Sequence, residues 1–330
     1  MRLIQFSSDT GTRVAICDGD DVWALRNFHT TYELAQHAIE SGQSMQASAV
    51  RSMVSEALSY RELETTGRIL APVSHPVPSS FLVSGTGLTH LGSALARDTM
   101  HRVQHVNNGE PSDSMKMFQM GLIGGKPPDP QSIGVQPEWF YKGTGECVVG
   151  SGADMSVPAF CGSGAEEPEI VGIYVIDRQG QPRRLGFTLG NDLSDHVTEQ
   201  TNYLYLAHSK LLPCSLGPEL LLDELPSNIV GTSSIVRNGK QVWQQEFLSG
   251  EANMCHSLSN LEHHHFKYAR HRVPGSLHAH FLGCPVMSYN DGFSAQPGDI
   301  FEFAVPAFGH PLRNQMVTES AMDRVHVGSL

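Results

Sequence analysis

Glu166-Glu167-Pro168-Glu169-Ile170-Val171-Gly172-Ile173-Tyr174-Val175-Ile176, followed closely by Arg184-Leu185-Gly186-Phe187-Thr188-Leu189-Gly190-Asn191-Asp192, is where the reading of this chain turns. β-Branched and aromatic residues from Ile170 to Ile176 predict a strand. Side chains alternate along a strand, so Glu167 and Glu169 share a face with Val171 and Ile173. The polar segment from Asp177 to Pro182 reads as a turn, and a hairpin closing between Gln179 and Gly180 sets Glu167 opposite Asp192 and Glu169 opposite Gly190. Neighbouring carboxylates among apolar side chains repel unless a proton or a cation lies between them. Glu167, Glu169 and Asp192 are therefore candidate metal ligands, and three hard oxygen donors suit Mg²⁺ or Mn²⁺ better than Ca²⁺. The alternative is an acidic hairpin facing water.

Composition narrows the classes. The chain has 330 residues, 22 Lys and Arg against 34 Asp and Glu, and a formal net charge of −12. With no basic run, it does not read as a nucleic-acid or anionic-membrane binder. No apolar run approaches the ~20 residues of a membrane span. The first six residues read as a strand, not a signal peptide. Six cysteines scattered without a CxxC read as reduced thiols in a cytoplasmic protein. Thirty-two Gly and nineteen Pro among short apolar runs indicate an α+β, β-rich fold with many turns.

Outward from the hairpin, the N-terminal part reads as strands over 1–6, 13–17 and 22–25, with a turn at Asp18-Gly19-Asp20. Thr30 and Glu33 have capping-box spacing and open a helix that Gly42 ends. A second helix is predicted over 44–59. The Pro-rich segment 69–78 reads as a linker, which divides the chain into a small N-terminal α/β module (1–72) and a larger domain (76–330). The larger domain opens with a strand running into the Gly-rich turn of Ser84, Thr86 and Thr89, then a helix from His90 to about Met100. A helix N-terminus attracts anions. Residues 107–136 read as a lid or insertion with some helix near 114–121. A short strand ends at Lys142. Beyond the hairpin, a helix over 194–207 brings in His196, Glu199 and Tyr203, and a loop carries Lys210. Asn238-Gly239 marks a second hairpin, and a helix is expected over 257–266. His263, His264 and His265 are contiguous and point in different directions, so they do not read as a metal site, nor do His278 and His280.

Six features in this order resemble the fumarylacetoacetate hydrolase family: the strand, turn and His from Val83 to His90; Phe140-Tyr141-Lys142; the Glu-x-Glu of Glu167 and Glu169; Asn191-Asp192-Leu193-Ser194; Leu216-Gly217-Pro218; and Pro297-Gly298-Asp299. They span roughly residues 76–305. The resemblance implies a mixed β-roll, a homodimer or higher homo-oligomer, and Mg²⁺ or Mn²⁺ on Glu167, Glu169 and Asp192, with Lys142 and Lys210 facing the substrate. Hydrolytic members carry a Glu three residues after the loop His, where this chain has Ser93. Their late Gly-Thr-Pro falls on Ala304-Val305-Pro306, and an expected Arg falls on His196. The turn from Gly85 to His90 and the run from Lys210 to Leu220 resemble the branch acting on sugar-derived 2-keto acids, which includes 2-keto-3-deoxypentonate dehydratases.

That resemblance implies dehydration of a 2-keto-3-deoxy sugar acid to a 2-keto acid semialdehyde through an enolate that the metal stabilises. A site lacking the His–Glu water activator suits elimination. The expected assignments are His90 as base or acid, on its ordinary pKa near 6.5, with Lys142 and Glu199 as further catalytic groups. Lys210, Ser84, Thr86 and His196 are the expected substrate contacts. Two other readings stay open: a hydrolase of a 2,4-diketo acid, and a sugar-acid binder without turnover.

Overall fold

Why a hairpin should sit at the centre of a β-rich chain is visible in its burial: every residue from Pro168 to Ile176 is buried. The computed structural model describes residues 1–92, 111–129 and 131–330. In chain order, β1 (Arg2–Ser8), β2 (Gly11–Asp18), β3 (Asp21–Ala24), β4 (Leu58–Ser59) and β5 (Ile69–Leu70) belong to the N-terminal part. Then come β6 (Phe81–Gly85), β7 (Phe140–Thr144), β8 (Val148–Val149) and β9 (Met155–Val157). The central hairpin is β10 (Pro168–Ile176) and β11 (Pro182–Asp192), followed by β12 (Cys214–Leu216) and β13 (Leu220–Leu221). A second hairpin, β14 (Ile229–Arg237) and β15 (Lys240–Ser249), precedes β16 (Leu277–Phe281), β17 (Ile300–Ala304) and β18 (Leu312–Thr318).

Among the described residues these form two sheets, both mixed in direction. The larger runs β4-β3-β2-β1-β13-β11-β10-β16-β6-β7, with β5 beside β1 and β12 between β11 and β8. The smaller runs β15-β14-β17-β18-β9. Both faces of β10 are covered. Val171, Ile173 and Val175 pack with Val83, Phe140, Cys214 and Phe281. Ile170, with Phe187 and Leu189 of β11, packs against Ile235, Phe301 and Phe303 of the smaller sheet. A strand buried on both sides reads as a continuous apolar run, as this one does. The N-terminal strands are not a separate sheet. Arg2 and Leu3 pair with Leu221 and Leu220, so β1 continues the large sheet, and Leu3 and Val14 share a core with Val83 and Phe281.

Local signals decided several elements. The helix Thr31–Ser41 is capped by Thr30, whose hydroxyl accepts from Glu33 N, and ends at Gly42 with φ 67°. Asn238 and Gly239 take φ values of 52° and 75° and close the β14–β15 hairpin. The helix Leu258–Phe266 starts at its Ser257 cap.

Other elements differ from expectation. The helix expected over 44–59 spans only Met45–Ser52. Met53 is extended and bridges to Leu25, and Val54 N donates to Ala24 O, so pairing with the sheet edge overrides helix propensity. An unexpected helix, Tyr60–Thr65, follows under a Ser59 cap. The helix expected over 194–207 is broken at Asn202, whose extended backbone (φ −162°) separates His196–Thr201 from later turns. Within the expected lid, Asp113–Gly124 is helical. Ser93, the helix body from 93 to 100 and the start of the 107–136 segment lie outside the described residues. Among the described residues no helix is long and apolar enough to cross a membrane.

Candidate metal centre

The hairpin register delivers the three acids. Glu169 pairs with Gly190 and Pro168 with Asn191, as the sequence predicts, and the register slips only beyond Ile173, where a bulge sets Tyr174 opposite Arg184. Glu167, just ahead of β10, stays in the ladder: Asp192 N donates to its carbonyl at 3.0 Å, and its own N–H reaches Asn191 Oδ1 at 3.1 Å. Glu167, Glu169 and Asp192 thus meet, each offering a carboxylate oxygen within 4.8 Å of the others, all buried.

Two ammonium groups enter this cluster from the chain itself. Lys210 Nζ donates to Glu167 Oε1 at 2.5 Å, to Asp192 Oδ2 at 2.7 Å and to Ser194 Oγ at 2.9 Å. It also lies 4.7 Å from the centre of the Phe140 ring. Lys142 Nζ stands 2.8 Å from Asp192 Oδ1 and donates to Leu193 O at 2.5 Å. The sequence reading put Lys142 at a strand end. It lies inside β7 on the face of Phe140, and that face is sealed.

The charges are unequally settled. Burial alone would raise Asp192, but Lys142 and Lys210 hold its carboxyl below the ordinary value. Glu169 is pushed well above it, first by burial and then by repulsion from Asp192 and Glu167. Glu169 Oε2 accepts from Gly283 N at 2.6 Å. Three buried carboxylates facing two ammonium groups leave negative charge that a proton on Glu169 or a further cation must offset. The all-oxygen donor set and the one acid driven toward its protonated form fit a hard divalent ion.

His196 and Glu199 join the same cluster from the short helix after β11. His196 Nε2 is 3.4 Å from Glu167 Oε1, and its Nδ1 is 3.5 Å from Glu199 Oε2. Ser209 Oγ donates to Glu199 at 3.4 Å. Asp195 caps that helix, accepting from Thr198 N, and is tied down by Gly162 N and Ser163 N.

The remaining expected residues lie elsewhere. His90 is buried in a different set. Thr89 Oγ1 donates to Leu282 O at 2.6 Å, so it accepts from His90 Nδ1 at 3.0 Å, and Ser249 Oγ supplies Nε2 at 2.9 Å. Burial lowers its pKa to about 3. The ordinary value near 6.5 on which a base role was expected does not apply to a ring so enclosed. Ser84 faces the other side of β6, 3.0 Å from His280 Nδ1 and 3.5 Å from His265 Nδ1. Thr86 Oγ1 donates to Phe281 O at 3.3 Å. Thr86 lines a cavity of about 1050 Å³ walled by Trp139, Tyr141, Tyr268 and His278, and Glu167, Glu169 and Asp192 are not among its lining residues. The strand alternation that aims Lys142 inward turns Tyr141 outward, while Ser84 on β6 stays buried beside His280 and His265.

Sequence reasoning missed Ser194, Asn191, Gly283 and Ser209 as supports. The Asn-Asp-x-Ser run held a signal for two of them, whereas Gly283 comes from a distant loop and Ser209 from the short helix Leu206–Ser209 just before Lys210.

No family model matches the chain. Two curated relatives do. A 2-dehydro-3-deoxy-D-arabinonate dehydratase of Saccharolobus solfataricus is 35% identical over 111 residues, covering 32% of this chain and 36% of the relative. A protein of Haloferax volcanii named as a probable 2-keto-3-deoxyxylonate dehydratase is 28% identical over 188 residues, covering 56% and 61%. The chain therefore spans between a third and two thirds of the length of these relatives. Among solved structures, the apo form of a 2-keto-3-deoxy-D-arabinonate dehydratase superposes with a TM-score of 0.70 at 18% identity, covering 97% of this chain and all of that one. A structure of 2-keto-3-deoxy-D-arabinonate dehydratase complexed with magnesium and 2,5-dioxopentanoate gives 0.69 at 19% identity, covering 97% and 99%. In fold, then, the chain is fumarylacetoacetate hydrolase-like, and in sequence it resembles proteins named as 2-keto-3-deoxypentonate dehydratases.

Proposed function

We propose that this chain dehydrates a 2-keto-3-deoxy sugar acid of the pentonate type to a 2-keto acid semialdehyde, with Mg²⁺ or Mn²⁺ as its cofactor. One observation carries this reading: three buried carboxylates and two buried lysines converge where the central hairpin ends. The dehydratase names of its sequence relatives support the reaction class.

The reaction removes a proton from C3, next to the 2-keto group, and expels the C4 hydroxyl as water. It needs a base, an acid and charge stabilisation, but no outside nucleophile. Glu167, Glu169 and Asp192 would hold a divalent ion, which would supply Lewis-acid polarisation of the 2-keto group. Lys142 and Lys210 contribute fixed positive charge for the substrate carboxylate and for charge growing on the keto oxygen. Glu199 acts as the proton acceptor and His196 as its relay, since the imidazole spans from Glu199 to Glu167. His90, neutral and bonded at both ring nitrogens, takes the role of a structural support.

The test is incubation of the purified protein with 2-keto-3-deoxypentonates and Mg²⁺, following the semialdehyde by mass. Turnover should stop on adding EDTA and return with excess Mg²⁺. Turnover indifferent to EDTA, binding without product, or cleavage of a 2,4-diketo acid to pyruvate would each overturn the reading.

A further inference from the structure

We propose that Cys147 and Cys214 form a disulfide on exposure to hydroperoxides, and that this modification disables the adjoining acid cluster. All six cysteines are free thiols. Cys147 and Cys214 face each other with their sulfurs 3.9 Å apart. Cys255, Cys284 and Cys17 point at backbone carbonyls of Leu88, Val286 and Gly19 instead.

The pair sits between the strands that present two of the cluster's groups. Cys214 is the register partner of Asp192 across β11 and β12, and of Val148 across β12 and β8. Cys147 packs on the residue after Lys142: a Cβ on Gly143 would lie 2.7 Å from its sulfur. A disulfide holds its sulfurs about 2.05 Å apart, so closing this pair requires roughly 2 Å of approach. Cys214 is sealed and Cys147 is partly exposed, so a small oxidant meets Cys147 first. The closing motion is transmitted to Asp192 through its ladder with Cys214 and to Lys142 through Gly143. Close packing leaves no slack to absorb it.

The chemistry balances with hydrogen peroxide as the oxidant. The Cys147 sulfur attacks one peroxide oxygen and the O–O bond breaks. The leaving oxygen takes up the thiol proton and departs as water, leaving a sulfenic acid on Cys147. The Cys214 sulfur then attacks that sulfur, and the displaced hydroxyl leaves as a second water with the Cys214 proton. Two thiols are oxidised and one peroxide is reduced.

The disabling half of this inference rests on the metal reading of the cluster; the cross-link does not. The experiment treats reduced full-length protein with hydrogen peroxide at low molar excess. It maps cross-linked peptides by mass, counts free thiols, and measures Mn²⁺ affinity by calorimetry before and after dithiothreitol. The expected result is a peptide joining Cys147 to Cys214, loss of two of the six thiols, and Mn²⁺ affinity weaker by roughly ten- to a hundredfold, as for disturbed support of a metal ligand. Dithiothreitol should reverse all three. The variants Cys147→Ser and Cys147→Ala should bind Mn²⁺ before peroxide and show neither cross-link nor loss after it. Six thiols surviving, or Cys147 oxidised to a sulfinic acid with no cross-link, would overturn the disulfide. A cross-link with unchanged Mn²⁺ affinity would overturn the disabling step. Absence of Mn²⁺ binding in the reduced protein would overturn the metal reading and that step together, while the cross-link stands or falls on mass alone.

Discussion

Lys210 Nζ lies 2.5 Å from Glu167 Oε1, inside the same group of acids that a divalent ion would use. The lysine and the ion therefore compete for the same oxygens. Lys210→Met should tighten Mn²⁺ binding severalfold, because one positive charge leaves the cluster, yet lower kcat by at least about a hundredfold through loss of charge at the substrate. Calorimetry and the semialdehyde assay on one preparation check the opposite signs. In EDTA the variant should also lose roughly 3–5 kcal/mol in urea unfolding, since two buried carboxylates lose a partner.

Glu169 and Asp192 should respond differently to neutralisation. Glu169 is driven toward its protonated form by burial and by its neighbours, so Glu169→Gln removes little charge from the metal-free protein. Its urea midpoint in EDTA should hold or rise, while Mn²⁺ affinity falls at least tenfold. Asp192→Asn removes the carboxylate that Lys142 and Lys210 share and should lower that midpoint sharply. Equal destabilisation by the two variants would contradict this account of the charges.

Acid should destabilise the fold well above the ordinary carboxylate range. Burial lowers His90, His278 and His280 each to about 3, while in the unfolded chain a histidine titrates near 6.5. Between those values the unfolded state takes up protons that the native state refuses. The stabilising contribution is complete above about pH 6.5 and is lost as pH falls toward 3, with a slope approaching about 1.4 kcal/mol per pH unit for each histidine. Urea midpoints from pH 7 to 4 measure this slope, and His278→Asn should reduce it by one histidine's share.

Ser249→Ala leaves His90 Nε2 buried without its donor. The cost should be about 1–3 kcal/mol of stability, with kcat per folded molecule nearly unchanged. A large fall in kcat with stability intact would return His90 to the catalytic list.

Gly283 has φ 104°, and a Cβ there would fall 2.0 Å from Thr89 Oγ1. Because Gly283 N holds Glu169 Oε2, Gly283→Ala should both destabilise the protein and weaken Mn²⁺ binding. The loss should exceed what the clash alone costs, because at φ 104° any side chain strains the backbone as well.

Much of the centre was legible because its logic is local. Alternation fixes which face Glu167 and Glu169 take, and a short polar turn fixes the register that brings Asp192 alongside. The bulge after Ile173 left no trace in the pattern, but it falls on the turn side of Ile173 and spares the acids. His196 and Glu199 were readable as neighbours one helical turn apart. The enclosure of His90, whose burial lowers its pKa, left no local signal, since Ser249 beside it is 159 residues away in the chain. The face of Ser84 was equally out of reach, being set by where β6 lies beside β16. The Cys147–Cys214 approach requires the parallel pairing of β8 with β12, separated by more than sixty residues, which no spacing rule foretells.

The pairing of β1 with β13 ties Arg2 and Leu3 to Leu221 and Leu220. On a ribosome adding about 5–20 residues per second, that partner is made some ten to forty seconds after the strand it completes. Through that interval the first strand has a bare margin at its start, and chaperone binding to the nascent chain should concentrate there until β13 emerges.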